Sequence, residues 1–150
     1  LGIDLDIVHR GAREKRGEQG IKGLERSLTP AVEKLGFNLE SIRAQIVSMR
    51  EALTRLKSLY DQKNTEELRE AIQAYHEEGV DPFRLQNGIM TVREARRLRT
   101  SDTELLAKIE ALVQEIISLT ASGDVNGADQ RANELRRLIQ KGFSAQQRRR

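Results

Sequence analysis

The chain has no cysteine and no tryptophan, and only two prolines, three phenylalanines and two tyrosines among its 150 residues. Without cysteine there is no disulfide scaffold and no thiolate metal site, a usage compatible with a reducing compartment. Few aromatics means few of the side chains that bury the largest areas, so a thick private core is not expected. Pro30 and Pro82 are the only prolines, which leaves long stretches free of strong helix breakers. No apolar run approaches the roughly 18–20 residues needed to cross a bilayer, and no secretory leader is visible. The first residue is Leu1 rather than Met, so a processed product or a piece of a longer chain is expected.

What is present in quantity is charge. A third of the residues are Asp, Glu, Lys or Arg, yet the formal net charge is only +3. It is unevenly placed: residues 1–35 carry 7 basic and 6 acidic side chains, residues 36–90 carry 7 and 9, and residues 91–150 carry 12 and 8. The last third therefore favours an anionic partner. The long apolar residues are mostly Leu and Ile, a balance that suits helices with one narrow apolar stripe closing on other helices.

Residues 1–28 read as a flexible basic, glycine-rich arm. Between His9 and Gly23 there are four glycines and few apolar anchors, too little to offset the entropy of ordering. Thr29 and Pro30 have the chemistry of a helix start, and Gly36 that of its end. From Asn38, a cap with Phe37 as a staple onto Ile42, apolar residues fall at Leu39, Ile42, Ile46, Met49, Leu53, Leu56 and Tyr60. The 3-4-3-4-3-4 spacing is that of three heptads and predicts a helix about 36 Å long. We expect this stripe to be the oligomer or partner packing surface.

Asn64 with Glu67 predicts the next helix start, stopped by Gly79. Residues 79–90 read as a loop, and Thr91 with Glu94 and Ser101 with Glu104 as capping boxes. Within 101–143 the 4-3-4-3 series Leu105, Ile109, Leu112, Ile116, Leu119 and the face Ala128, Ala132, Leu135, Ile139 are separated only by the Gly123-Asp124 turn. That is an αα-hairpin. Residues 29–100 would hold the long heptad helix with shorter ones, and 144–150 a frayed basic tail. The fold class is all-α: elongated helical hairpins in a coiled-coil-like bundle.

No catalytic centre, cofactor site or metal site is expected. His9 and His76 have no ligand-like spacing. The acid pairs Glu66-Glu67 and Glu77-Glu78 sit at polar helix ends and do not point to a buried pocket suited to acid–base work. No phosphate loop with a terminal Lys-Ser or Lys-Thr follows a strand. The candidate contacts to phosphate or to an acidic partner are Arg93, Arg96 and Arg97, three guanidinium groups at helical spacing, and the tail Arg148, Arg149 and Arg150. Charge runs are more often solvated faces, and no aromatic is interleaved with these arginines in sequence for base stacking.

The stretch Asn87-Gly88-Ile89-Met90-Thr91-Val92-Arg93-Glu94-Ala95-Arg96 resembles a turn near the C-terminal end of tailed-phage portal proteins, where a glycine, two apolar residues and a threonine precede a short helix. The chain departs from that pattern at Arg97-Leu98-Arg99-Thr100-Ser101. Its charged, arginine-ended C-terminus is similar to the ends of virion-internal proteins, some of which are ejected with the genome. Either resemblance implies a ring-forming or channel-lining virion component. It carries over no functional residue.

These readings converge on a non-enzymatic structural or assembly protein that forms homo-oligomers through amphipathic helices. Other proteins of a large assembly would be its partners. Its place would be the virion if it is a phage protein, and the cytoplasm otherwise. The alternatives are a nucleic-acid-associated protein using the arginine face and tail, and a helical adaptor or chaperone.

Overall fold

The computed structural model describes residues 18–26 and 31–148, except the side chains of 31 and 145–148. Seven helices and no strand occur among the described residues: α1 (residues 18–26), α2 (Ala31–Leu35), α3 (Leu39–Asp61), α4 (Thr65–Glu78), α5 (Pro82–Arg97), α6 (Thr103–Ala121) and α7 (Val125–Arg148). None of these helices is long and apolar enough to cross a membrane. The all-α class expected from the sequence is what the chain adopts.

Local chemistry sets most helix ends. Asn38 Oδ1 accepts from Ser41 N at 3.1 Å and Asn64 Oδ1 from Glu67 N at 3.4 Å, which satisfies first-turn donors of α3 and α4. α4 ends on Gly79 at φ +77°. A side chain there would be strained, and an added Cβ would also lie 3.2 Å from Val125. Asp102 caps α6 through Leu105 N at 3.1 Å, one residue beyond the expected Ser101. Asp124 accepts from Gly127 N at 2.9 Å in the first turn of α7.

The expected loop at 79–90 is corrected. Only Val80 and Asp81 separate Gly79 from α5, and residues 82–90 are helical. Pro82 stands in the first turn, where a missing N–H is harmless, and Asp81 Oδ1 accepts from Phe83 N at 2.9 Å. Thr91 consequently starts nothing. It lies buried inside α5 and donates its hydroxyl to Asn87 O at 2.7 Å. The turn that the portal-like stretch implies is absent, because Asn87–Arg96 is one continuous piece of helix.

α6 and α7 form the expected antiparallel hairpin, and α5 completes a three-helix layer with them. Arg84 meets Asn126, Asn87 meets Asp129, Thr91 meets Arg136, and Leu98 approaches Gly142. Residue numbers rise together along this contact, so α5 and α7 run parallel. The seam between them is polar. Asn87 Nδ2 donates to Asp129 Oδ1 at 2.8 Å and to Asn133 Oδ1 at 3.4 Å, and Arg136 donates to Asn87 and Thr91.

α1 lies on the N-terminal half of α5. An added Cβ at Gly20 would meet Phe83 and Pro82 at 3.0 Å, so glycine permits the approach. Ile21 and Leu24 are buried in the main core, which corrects the flexible-arm reading for this stretch. Residues 1–17, and Thr29 with Pro30, lie outside the described residues. At the other end, α7 continues through 144 to Arg148, so helix replaces the expected frayed tail over that span.

One core cluster runs from Ile21 to Ile139, across the divisions drawn at 28/29 and 100/101. Ile42, Val92, Val113, Ile116, Ala132 and Leu135 are among its fully covered residues. The α3–α4 hairpin joins this body at two capped ends. Ser41 Oγ and Gln45 Nε2 donate to the last carbonyls of α6, Ala121 O at 3.0 Å and Thr120 O at 2.8 Å. Asn126 Nδ2 of α7 donates to His76 O at 3.2 Å and Glu77 O at 3.0 Å at the end of α4. Ala121 O and Glu77 O, left orphaned by their own helices, are thus satisfied by a neighbouring helix, while Thr120 O and His76 O also accept from Gly123 N and Gly79 N.

Candidate functional site

Among the described residues no three His, Cys, Asp or Glu side chains gather as a metal would require. The His76 ring faces the Arg84 guanidinium at 3.2 and 3.3 Å, and Arg84 also reaches Asp81 at 3.6 Å. This cluster clasps α4 to α5 and α7. Glu110 is held below the usual carboxylate range by hydrogen bonds from Arg96 and Gln114. It lies on the surface, with its side chain 49% exposed.

The heptad stripe divides in two. Ile42, Ile46 and Met49 are buried in the main core with residues of α5, α6 and α7, Leu53 packs partly against it, and Leu39 is half-buried. The expectation that this stripe finds its cover in another molecule is therefore corrected for its first half. The chain supplies that cover itself, and three of the seven named residues offer a partner no surface.

The second half differs. Leu56 and Tyr60 are half-buried, and with Ile72 and Tyr75 they surround a small separate cluster of Leu59, Leu68 and Ala71. Both tyrosines of the chain are in this group. Charge divides across the same hairpin. α4 carries Glu66, Glu67, Glu70, Glu77 and Glu78 against Arg69, whereas α3 from residue 50 onward carries Arg50, Arg55 and Lys57 against Glu51 and Asp61.

A cleft of about 640 Å³ opens where α3, the end of α4 and the α6–α7 turn meet. Its walls are mostly small, with Ala44, Ser48, Ala52, Gly79, Ser122 and Gly123 among them. Gln45, also on its wall, keeps a buried Oε1 that accepts no hydrogen bond.

No known family, curated protein or solved structure matches this chain.

The arginines named from the sequence separate in space. Arg96 is committed to Glu110, at 2.6 and 3.4 Å. Arg93 lies along α5 against Met90 Sδ at 3.7 Å. Arg97 instead joins Arg136 of α7 in a cleft of about 650 Å³, with Glu94, Gln140, Phe143 and the buried Ile139 as the other lining residues. Arg149, Arg150 and the side chain of Arg148 lie outside the described residues. Sequence reasoning missed Arg136 as a partner of Arg97, and Phe143 as the aromatic beside them. Parallel packing of α5 and α7 brings them together, and no local spacing signals it.

Proposed function

We propose that the protein is a non-enzymatic assembly component that self-associates through the far end of its α3–α4 hairpin. The observation that carries this reading is the half-buried group Leu56, Tyr60, Ile72 and Tyr75 on a two-helix element with only three buried apolar residues beneath it. Two helices alone cover an apolar stripe poorly, and two such hairpins together make a four-helix bundle. Tyrosine is also enriched in protein interfaces, since its ring buries area while its hydroxyl stays wet.

The charge division favours a second copy over an unrelated helix. In a two-fold pairing the same patch meets itself, so α3 of one copy crosses α4 of the other twice. The basic side chains Arg55 and Lys57 then face the α4 carboxylates on both sides, an arrangement that also rejects the like-charged register. A virion is the setting that the sequence resemblance implies for such a component, and self-association does not depend on it.

Light scattering on the purified chain across the micromolar range tests the reading, with a dimer growing in with concentration. Lys57→Glu weakens it and Glu70→Lys weakens it, and mixing the two variants restores hetero-association. A monomer at every concentration overturns the proposal.

A further inference from the structure

We infer that the cleft between α5 and α7 binds single-stranded nucleic acid, with Arg97 and Arg136 on backbone phosphates and Phe143 under a base. The inference is independent of self-association and uses a different face of the molecule.

Arg136 is the built part of the site. Its Nη2 donates to Thr91 Oγ1 at 3.1 Å and to Asn87 Oδ1, both neutral acceptors, and Thr91 is itself fully buried. The guanidinium is therefore held in place without being neutralised, and its Nε and Nη1 N–H groups remain for single hydrogen bonds to an anion. Arg97 lines the same cleft and has no carboxylate partner among the described residues. Gln140 adds an amide, and Phe143, 44% exposed, offers an aromatic face over the floor made by Ile139. An exposed aromatic beside unpaired arginines is the combination that single-strand binders use, bases stacking while cations follow the backbone.

The surrounding charge points the same way. Of the eight acidic residues in 91–150, Glu110 is paired with Arg96, and Glu115 and Glu134 with Arg131, whereas Asp129 accepts from the neutral Asn87 amide and keeps its charge. Asp102 and Asp124 cap helices. Without a cationic partner among the described residues are Glu94, Asp102, Glu104, Asp124 and Asp129, against Arg93, Arg97, Arg99, Lys108, Arg136, Arg137 and Lys141, none with a carboxylate partner there. The ordinary duty of such cations, complementing the negative end of a helix, accounts for Arg97 in the last turn of α5. It does not account for Arg136, about three turns before the end of α7, because the dipole acts only within the last turn. Glu94 is the one carboxylate in the cleft. It opposes an anion and caps the affinity.

The test is fluorescence anisotropy of the full chain with a labelled oligothymidylate. Binding at low salt is expected, with log K falling against log salt at a slope of about −1.4, from two phosphates at roughly −0.7 each. Arg97→Ala reduces that slope by about 0.7. Phe143→Ala weakens binding about tenfold and leaves the slope unchanged. Glu94→Gln tightens binding. Circular dichroism confirms that each variant is folded, and these exposed positions avoid the Arg136–Thr91 contact on which packing depends. No binding at low salt overturns the inference. So does binding that Arg97→Ala and Phe143→Ala both leave intact, which would place the contact elsewhere on the chain. Equal binding of polyglutamate, insensitive to Phe143→Ala, would assign the cleft to acidic peptide instead and likewise overturn it.

Discussion

Glu110 and Arg96 show how much a single exposed contact can do. The guanidinium lowers the carboxyl's pKa, so the pair's contribution to stability is present above the ordinary glutamate range and is lost as pH falls through the lowered value. Arg96 is 41% exposed and Glu110 49%, so solvent screens the pair and the effect on unfolding is small. The clean readout is a carboxyl titration by NMR. Arg96→Met returns Glu110 toward the ordinary glutamate value, and an unchanged titration would show that Gln114 alone holds it down. Burial decides the larger effects. Leu135, with none of its surface exposed, should lose roughly 2–5 kcal/mol on truncation to Ala. Val47, 55% exposed, should lose no more than about 0.5 kcal/mol on the same change, as is usual for surface sites. Urea denaturation of the two variants measures both.

Among the elements, α4 depends most on its ends. Removing its cap with Asn64→Ala should cost about 1 kcal/mol. Gly79→Ala should cost about 1–2 kcal/mol from the left-handed backbone alone, before its Cβ meets Val125 at 3.2 Å. Thermal melts of the two variants check the order. These caps were legible in the sequence because capping is local: an Asn and the amide three residues on need no tertiary help. The same holds for the periodicity of α3 and of the α6–α7 pair. α5 was not legible. Asn87 and Gly88 have turn chemistry on their own, yet in the fold Asn87 is satisfied by Asp129, and Gly88 stands where an added Cβ would lie 3.5 Å from Ile116. Packing outweighs propensity there. Nor does a heptad count say what covers the stripe. Ile42 and Leu56 occupy equivalent positions in the repeat, and one is sealed in the main core while the other is half-open at the hairpin's far end.

At the scale of the whole molecule, the two apolar clusters predict unequal stability. The main core joins residues from α1 to α7, whereas the far end of α3–α4 rests on Leu59, Leu68 and Ala71. Amides around Leu56–Leu68 should exchange through local opening well before those of Ile116 and Leu135, in a hydrogen-exchange series at rising denaturant. Uniform protection would contradict the division. The polar contacts between α5 and α7 have a further consequence. An oily seam between parallel rods tolerates sliding by a turn, because one leucine replaces another. Here a one-turn slip would strand the Asn87 amide, the Thr91 hydroxyl and the Arg136 guanidinium away from their mates. The three act as teeth of a key that fits a single depth, and a chain with aliphatic residues in all three places should lose its sharp, dispersed amide spectrum.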